Sequence, residues 1–271
     1  MRRMRPVMML PTLVTLGNLF SGFLAIAYLT DSLAFDATST AAAAKRILLY
    51  EKSIFLIFLA MVFDALDGFV ARLTKQASEF GAQVDSICDA VSFGAAPALL
   101  FKVVAEQHEH VVIPKVALVL AVIFLACGVL RLARFSLEAD PDVDSHRFFE
   151  GLPIPAAAAV VASLVYANIS LDPEHADSWI RRILPFVMPV VAFMMVTRIP
   201  YVHMGVLLAS RRSLGTFAVL VFVVGFAIIF HQVALPLFCV GYLLSGPLIW
   251  LRQRSREGKT SPEGSPAENG S

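Results

Sequence analysis

Eight apolar windows of near-spanning length set the limits on how this 271-residue chain can fold. They fall at residues 11–29, 47–66, 87–105, 115–135, 152–170, 184–198, 214–230 and 233–250. A helix needs roughly 20 predominantly apolar residues to cross the hydrocarbon core of a bilayer. The expected fold class is therefore all-α: a polytopic integral membrane bundle of about eight transmembrane helices. The last two windows are separated only by His231, Gln232 and Val233, which predicts a tight hairpin with Pro236 in the first turn of the final helix. The sixth window is short and holds Pro185 and Pro189, so its boundaries are the least defined by pattern.

Composition agrees with a lipid solvent. Hydrophobic residues make up 58% of the chain and charged residues 16%, with a mean hydropathy of +0.73, which is too apolar for a soluble domain of this length. A net charge of +1 without a basic stripe gives no footprint for a nucleic acid, and that partner class is set aside. Cys88, Cys127 and Cys239 lack paired spacing and read as small buried hydrophobes. Residues 1–251 form one membrane-embedded domain on this reading. Residues 252–271, rich in Ser, Gly, Pro and Glu, form a disordered cytoplasmic tail. The basic start and Ala25-Ile26-Ala27 resemble a cleavable signal, but Thr12, Thr15, Asn18 and Ser21 make a poor signal core, so the first window is kept as a span.

Basic residues orient the bundle. With a cytoplasmic N-terminus, the inner loops and tail hold Arg2, Arg3, Arg5, Arg72, Lys75, Arg131, Arg134, Arg147, Arg198, Arg211, Arg212, Arg252, Arg254, Arg256 and Lys259. The outer side keeps only Lys45, Arg46, Lys52, Lys102, Lys115, Arg181 and Arg182. The positive-inside rule then places both termini, and the stretch discussed next, in the cytoplasm.

Between Asp64 and Asp89 four aspartates border apolar runs. One acidic side chain at the centre of a membrane helix costs roughly 2.5 to 3.5 kcal/mol, so four facing lipid would cost about 10 to 14. They must face water, protein or a metal. Asp64 and Asp67, three apart, share a helix face that Gly68 and Ala71 continue, and Arg72 follows one turn after Gly68. After a polar link from Leu73 to Phe80, Gly81, Asp85 and Asp89 recur at intervals of four on a second helix. Two helices joined by a short link lie side by side, and converging carboxylates cannot all stay ionised without compensation. Mg²⁺ or Mn²⁺, one ion or two, supplies it and leaves positions open for phosphate oxygens.

The order D-x2-D-G-x2-A-R-x8-G-x3-D-x3-D, formed here by Asp64, Asp67, Gly68, Ala71, Arg72, Gly81, Asp85 and Asp89, resembles without a gap the signature of the CDP-alcohol phosphatidyltransferase family. Members transfer a phosphatidyl or similar group from a CDP-linked lipid to an alcohol and release CMP. The resemblance implies that Asp64, Asp67, Asp85 and Asp89 hold the divalent metals and that Asp89 is also the general base. It further implies that Gly68 and Gly81 admit the cytidine nucleotide, that Arg72 meets its phosphates and that Ser78 lies near the nucleotide. A homodimer is implied by the same likeness.

Four further stretches are similar to the phosphatidylserine synthase branch of that family: Leu10 to Phe23, Val91 to Ala98, Arg131 to Phe135 and Phe149 to Ala156. The branch accepts L-serine and uses CDP-diacylglycerol as donor. Ser136 departs from the asparagine that usually follows its arginine motif. Read as residues alone, Arg131 and Arg134 share a helix face and would bind the carboxylate of serine or a lipid phosphate, or act as interfacial anchors. Gly151-Leu152-Pro153-Ile154-Pro155 predicts a rigid turn into the fifth helix. Asn18 reads equally as helix glue or nucleotide contact. Rival readings are another acceptor alcohol (glycerol 3-phosphate, inositol phosphate or choline) and a cation transporter with an aspartate-lined path. No retention or transit signal is seen, which points to a bacterial cytoplasmic membrane with a cytoplasm-facing site.

Overall fold

The computed structural model describes residues 9–35, 39–74, 79–106, 112–138, 148–171, 179–202 and 231–257. Helix α1 spans Met9–Ser32 and α2 spans Thr40–Thr74. Helix α3 (Glu79–Asp89) runs into a π-helical turn (Ala90–Ala95) and then α4 (Ala96–Glu106). Helix α5 covers Pro114–Glu138, α6 Ile154–Leu171, α7 Trp179–Val196 and α8 His231–Glu257. Two short strands, β1 (Phe148–Glu150) and β2 (Pro200–Val202), pair antiparallel with Phe149 opposite Tyr201. The all-α bundle is thus the architecture, with this small ribbon as an addition that three-residue strands gave no pattern to announce.

Among the described residues six stretches are long and apolar enough to cross a membrane: Leu13–Ser32, Thr40–Val70, Phe80–Glu106, Pro114–Leu137, Ile154–Leu171 and Gln232–Leu251. Arg182–Val196 is a shorter apolar helix that continues through Pro185 and Pro189. Membrane helices tolerate such prolines where neighbours satisfy the freed carbonyls. The expected count of eight is not reached among the described residues, and the window at 214–230, with the hairpin it would form, lies outside them. Helix α8 starts at His231, so Pro236 falls beyond its first turn, and it continues to Glu257, past the domain boundary expected at 251.

Burial is distributed as lipid solvation requires. Helix α6 is the central helix, with Ala157, Ala158, Val161, Ala162 and Val165 fully enclosed. Small side chains there let backbones approach, and close packing replaces the hydrophobic effect as the force between helices in lipid. Large apolar residues such as Phe20, Phe23, Phe55 and Phe193 face outward. Helix α1 packs along α2 and also meets α3 and the π-helical turn, while α5 packs on α7 and α8 on α6.

Three glycines fix close approaches. A Cβ on Gly22 would lie 2.6 Å from the Ser92 backbone and 2.2 Å from its Oγ, so α1 and the π-helical turn touch through this gap. At Gly151 the backbone adopts φ +82° and a Cβ would lie 2.7 Å from the Met195 carbonyl oxygen. The Gly151 N–H donates to Ile199 O at 2.9 Å, so the expected turn into α6 also ties that helix to the end of α7. Gly246 on α8 leaves room for the Tyr201 ring, which a Cβ would meet at 2.4 Å.

Candidate functional site

Helix α2 has 35 residues, about 52 Å at 1.5 Å per residue, well beyond the roughly 30 Å of hydrocarbon. Its C-terminal third carries Asp64, Asp67, Gly68 and Arg72. Helix α3 carries Gly81, Asp85 and Asp89, the two acids one turn apart on the same face. The polar link is shorter than the sequence suggests, because α2 runs to Thr74 and α3 begins at Glu79.

One carboxylate oxygen each from Asp64, Asp85 and Asp89 comes within 4.8 Å of the others. Asp67 is an electrostatic neighbour of both Asp64 and Asp85, and its Oδ2 accepts a hydrogen bond from Thr15 Oγ1. Asp67 and Asp89 are buried, at 9% and 8% exposure, too deep for water to offset their charge. Asp85 Oδ1 is buried without a hydrogen-bond partner. Such an orphan acceptor among carboxylates is what a hard divalent cation satisfies, and an all-oxygen donor set suits that class of ion. The residues present fit a divalent metal.

Convergence depends on α1. Among the described residues α2 and α3 make little direct contact, and α1 packs against both. Thr15 bonds Asp67 on α2, and Asn18 Nδ2 donates to Asp89 Oδ1 on α3 at 3.0 Å. Ser92 Oγ in the π-helical turn donates back to Asn18 O at 3.0 Å. Thr15, Asn18 and Gly22 lie three and four residues apart, one face of the helix. In the sequence Thr15 counts only against a signal core and Asn18 reads equally as helix glue or nucleotide contact. The signal that could have found them is this polar stripe in an otherwise apolar span.

The π-helical turn begins at the residue after Asp89, and its Ala96 N–H reaches back to Val91 O. Such one-turn widenings are frequent at functional sites, because they shift the phase of the helix that follows. Here Ser92, Phe93 and Gly94 are all buried within it.

The two arginines diverge. Arg131 is an electrostatic neighbour of Asp89 and of Tyr242, and its Nε is buried without a hydrogen-bond partner. Arg134 Nη1 instead donates to Val196 O at 3.2 Å, at the end of α7. Ser136 Oγ donates to Leu132 O in its own helix at 3.0 Å, so this residue is turned back on α5. Gly68 and Gly81 lie within α2 and α3, Arg72 lies in the last turn of α2, and Ser78 falls outside the described residues. Cys88 and Cys239 are buried and Cys127 partly so, and all three are free thiols.

An integral membrane bundle that gathers carboxylates fit to hold a divalent cation is the class of protein defined by this fold and site. The chain belongs to the CDP-alcohol phosphatidyltransferase family, whose model matches residues 8–196. It is 47% identical over 106 residues to a CDP-diacylglycerol–serine O-phosphatidyltransferase of Methanocaldococcus jannaschii, covering 39% of this chain and 46% of that one. The chain thus spans about half the length of that relative. A Helicobacter pylori protein of the same name is 27% identical over 91% of this chain and 92% of its own length. An archaetidylserine synthase of Methanothermobacter thermautotrophicus is 31% identical over 71% of this chain and 69% of its own.

Proposed function

We propose that this protein transfers a phosphatidyl group from CDP-diacylglycerol to the hydroxyl of L-serine, giving phosphatidylserine and CMP. The site faces the cytoplasm in a bacterial cytoplasmic membrane, and a homodimer is the expected assembly. The observation that carries the reading is the meeting of Asp64, Asp85 and Asp89 within 4.8 Å around a buried, unpartnered Asp85 oxygen. Relatives whose names share serine as the acceptor or product moiety support the choice of alcohol.

In the reaction the serine hydroxyl oxygen forms a bond to the phosphorus that carries diacylglycerol. The bond from that phosphorus to the CMP oxygen breaks, and CMP leaves with the electron pair. Asp64, Asp85 and Asp89, with Asp67 beside them as the fourth acid of the expected set, would hold a divalent ion such as Mg²⁺ or Mn²⁺, which would supply positive charge to the substrate's phosphate oxygens. Asp89 takes the hydroxyl proton, since a serine hydroxyl is a weak nucleophile without a base in reach. Asn18 fixes one oxygen of that base and Thr15 fixes Asp67, so the acids are set before substrate arrives. Arg131 offers its unpartnered Nε to the serine carboxylate, a charge-assisted bond of the stronger kind. Gly68, Arg72, Ser78 and Gly81 are assigned to the CDP moiety.

An acceptor panel tests this. Purified protein with labelled CDP-diacylglycerol and Mg²⁺ or Mn²⁺ should release CMP and form lipid product with serine, and not with glycerol 3-phosphate, inositol phosphate or choline. Product with one of those alcohols alone would move the chain to another branch. Ion flux in vesicles without CMP release would point to transport instead.

A further inference from the structure

The stretches Val91 to Ala98 and Phe149 to Ala156 lie outside the acid signature, yet they meet at one place in the bundle. The start of α6 is fixed by Gly151 and Leu152, whose N–H groups donate to Ile199 O at 2.9 Å and Met194 O at 3.0 Å. A Cβ at 151 would lie 2.7 Å from Met195 O and 2.8 Å from Thr197 O, so this joint takes only glycine. Ile154, the first residue of α6, is buried. Its Cδ1 lies 2.8 Å from where a Cβ of Gly128 would stand on α5, and 3.9 Å from where a Cβ of Gly94 would stand in the π-helical turn. Leu125 Cδ1, also from α5, comes within 2.9 Å of that same Gly94 position. The two glycines thus form a notch, and the side chain that fills it is β-branched and stiff at χ1. The turn packs on α1, α5 and α6. Ser92, two residues before Gly94, is held by α1: it lies in the gap at Gly22, and its Oγ donates to Asn18 O at 3.0 Å. The turn itself starts directly after Asp89.

We propose that Ile154 is a positioning residue: seated in the notch of Gly94 and Gly128, it holds the π-helical turn against α1 and so fixes where Asp89 stands among the other acids. The inference rests on the reading of those acids as a divalent-cation site and holds whichever alcohol is the acceptor. Protein interiors are packed densely enough to pass on a shift of a few tenths of an ångström rather than absorb it. A methyl group at 128 would push Ile154 out of the notch, and with it the support behind the turn. The obstacle is one atom, Ile154 Cδ1, because the next nearest, Cγ1, lies at an ordinary 3.5 Å. Ile154→Val removes that methyl and nothing else, so it should make room for Gly128→Ala. It should not make room for Gly94→Ala, which meets Leu125 first.

The test is Mn²⁺ titration of the full-length, chelator-stripped protein in detergent, followed by the paramagnetic resonance signal of free Mn²⁺, with thermal unfolding of each variant alongside. Gly128→Ala should raise the Mn²⁺ Kd about tenfold, the lower end of the range for groups that orient metal ligands. Ile154→Val alone, which leaves the notch short of one methyl, should raise it about threefold. The Gly128→Ala/Ile154→Val double variant should return to within about twofold of wild type, the non-additivity of residues in contact. Gly94→Ala should weaken Mn²⁺ binding and stay weak when Ile154→Val is added. Lower unfolding temperatures with an unchanged Mn²⁺ Kd would make Ile154 a packing residue only and overturn the proposal, as would additive losses in the double variant. If Gly128→Ala alone does not fold, Ile154→Val decides, and an affinity equal to wild type there overturns the proposal. If the wild-type protein binds no Mn²⁺, both the functional reading and this inference fail. Wild-type binding that all these variants share removes the inference alone.

Discussion

Asp89 has neighbours of two opposite kinds at the residue scale: Asn18, which donates to its Oδ1, and the acids Asp64 and Asp85, which repel it. A carboxylate proposed as the base and set among other carboxylates needs its direction fixed by something other than charge, and the uncharged Asn18 amide does this. Asp89→Asn should lower turnover by roughly 10² to 10⁴, the range of general-base contributions, while binding of the CDP-lipid stays near normal. Near-normal turnover in that variant would remove Asp89 from the mechanism. Asn18→Ala leaves the acid but removes its donor. A hydrogen bond to a charged group is worth about 1.5 to 3 kcal/mol, so kcat should fall roughly 10- to 100-fold with the fold intact. Kinetics alongside thermal unfolding in detergent separate that outcome from simple destabilisation.

At the scale of elements, α1 is the part that turns two acidic helices into one site. It bonds α2 through Thr15, bonds α3 through Asn18, and lies against the π-helical turn at Gly22. Gly22→Ala would drive a methyl group into the Ser92 backbone, and overpacking of this kind costs about 1 to 3 kcal/mol. The expected result is a lower unfolding temperature together with weaker metal-dependent activity, because the α1 contact and the Asn18 bond move as one. A variant as stable as wild type would show that the gap can open without cost. The aspartate spacing and the Gly151 turn were legible in the sequence, since a glycine run with prolines and a repeat of three and four leave local signatures. The role of α1 was not, because Thr15 and Asn18 act on residues 52 and 71 positions away. The π-helical turn hides for a different reason. Ala90–Ala95 has no propensity signal, and the partner its Ser92 bonds, Asn18 of α1, is 74 residues away. The ribbon too is non-local, joining residues about fifty apart by three pairs.

At the scale of the molecule, the six spans found among the described residues, with a central small-residue helix and outward-facing phenylalanines, make an integral membrane protein. The charge asymmetry of the sequence supports the proposed orientation, in which the acidic site would open to the cytoplasm. An epitope tag at the C-terminus should stay shielded from an impermeant reagent in intact cells and become reactive after lysis. Labelling in intact cells would reverse the orientation and place the site on the wrong face. The central claim joins the acid cluster, its cation and serine into one reaction. Its most direct measurement is incorporation of labelled serine into lipid by purified, chelator-stripped protein as Mn²⁺ or Mg²⁺ is titrated back. The account predicts no lipid product without the cation and saturable recovery on its return. Undiminished incorporation by the stripped protein, or no incorporation at any cation concentration, would contradict it.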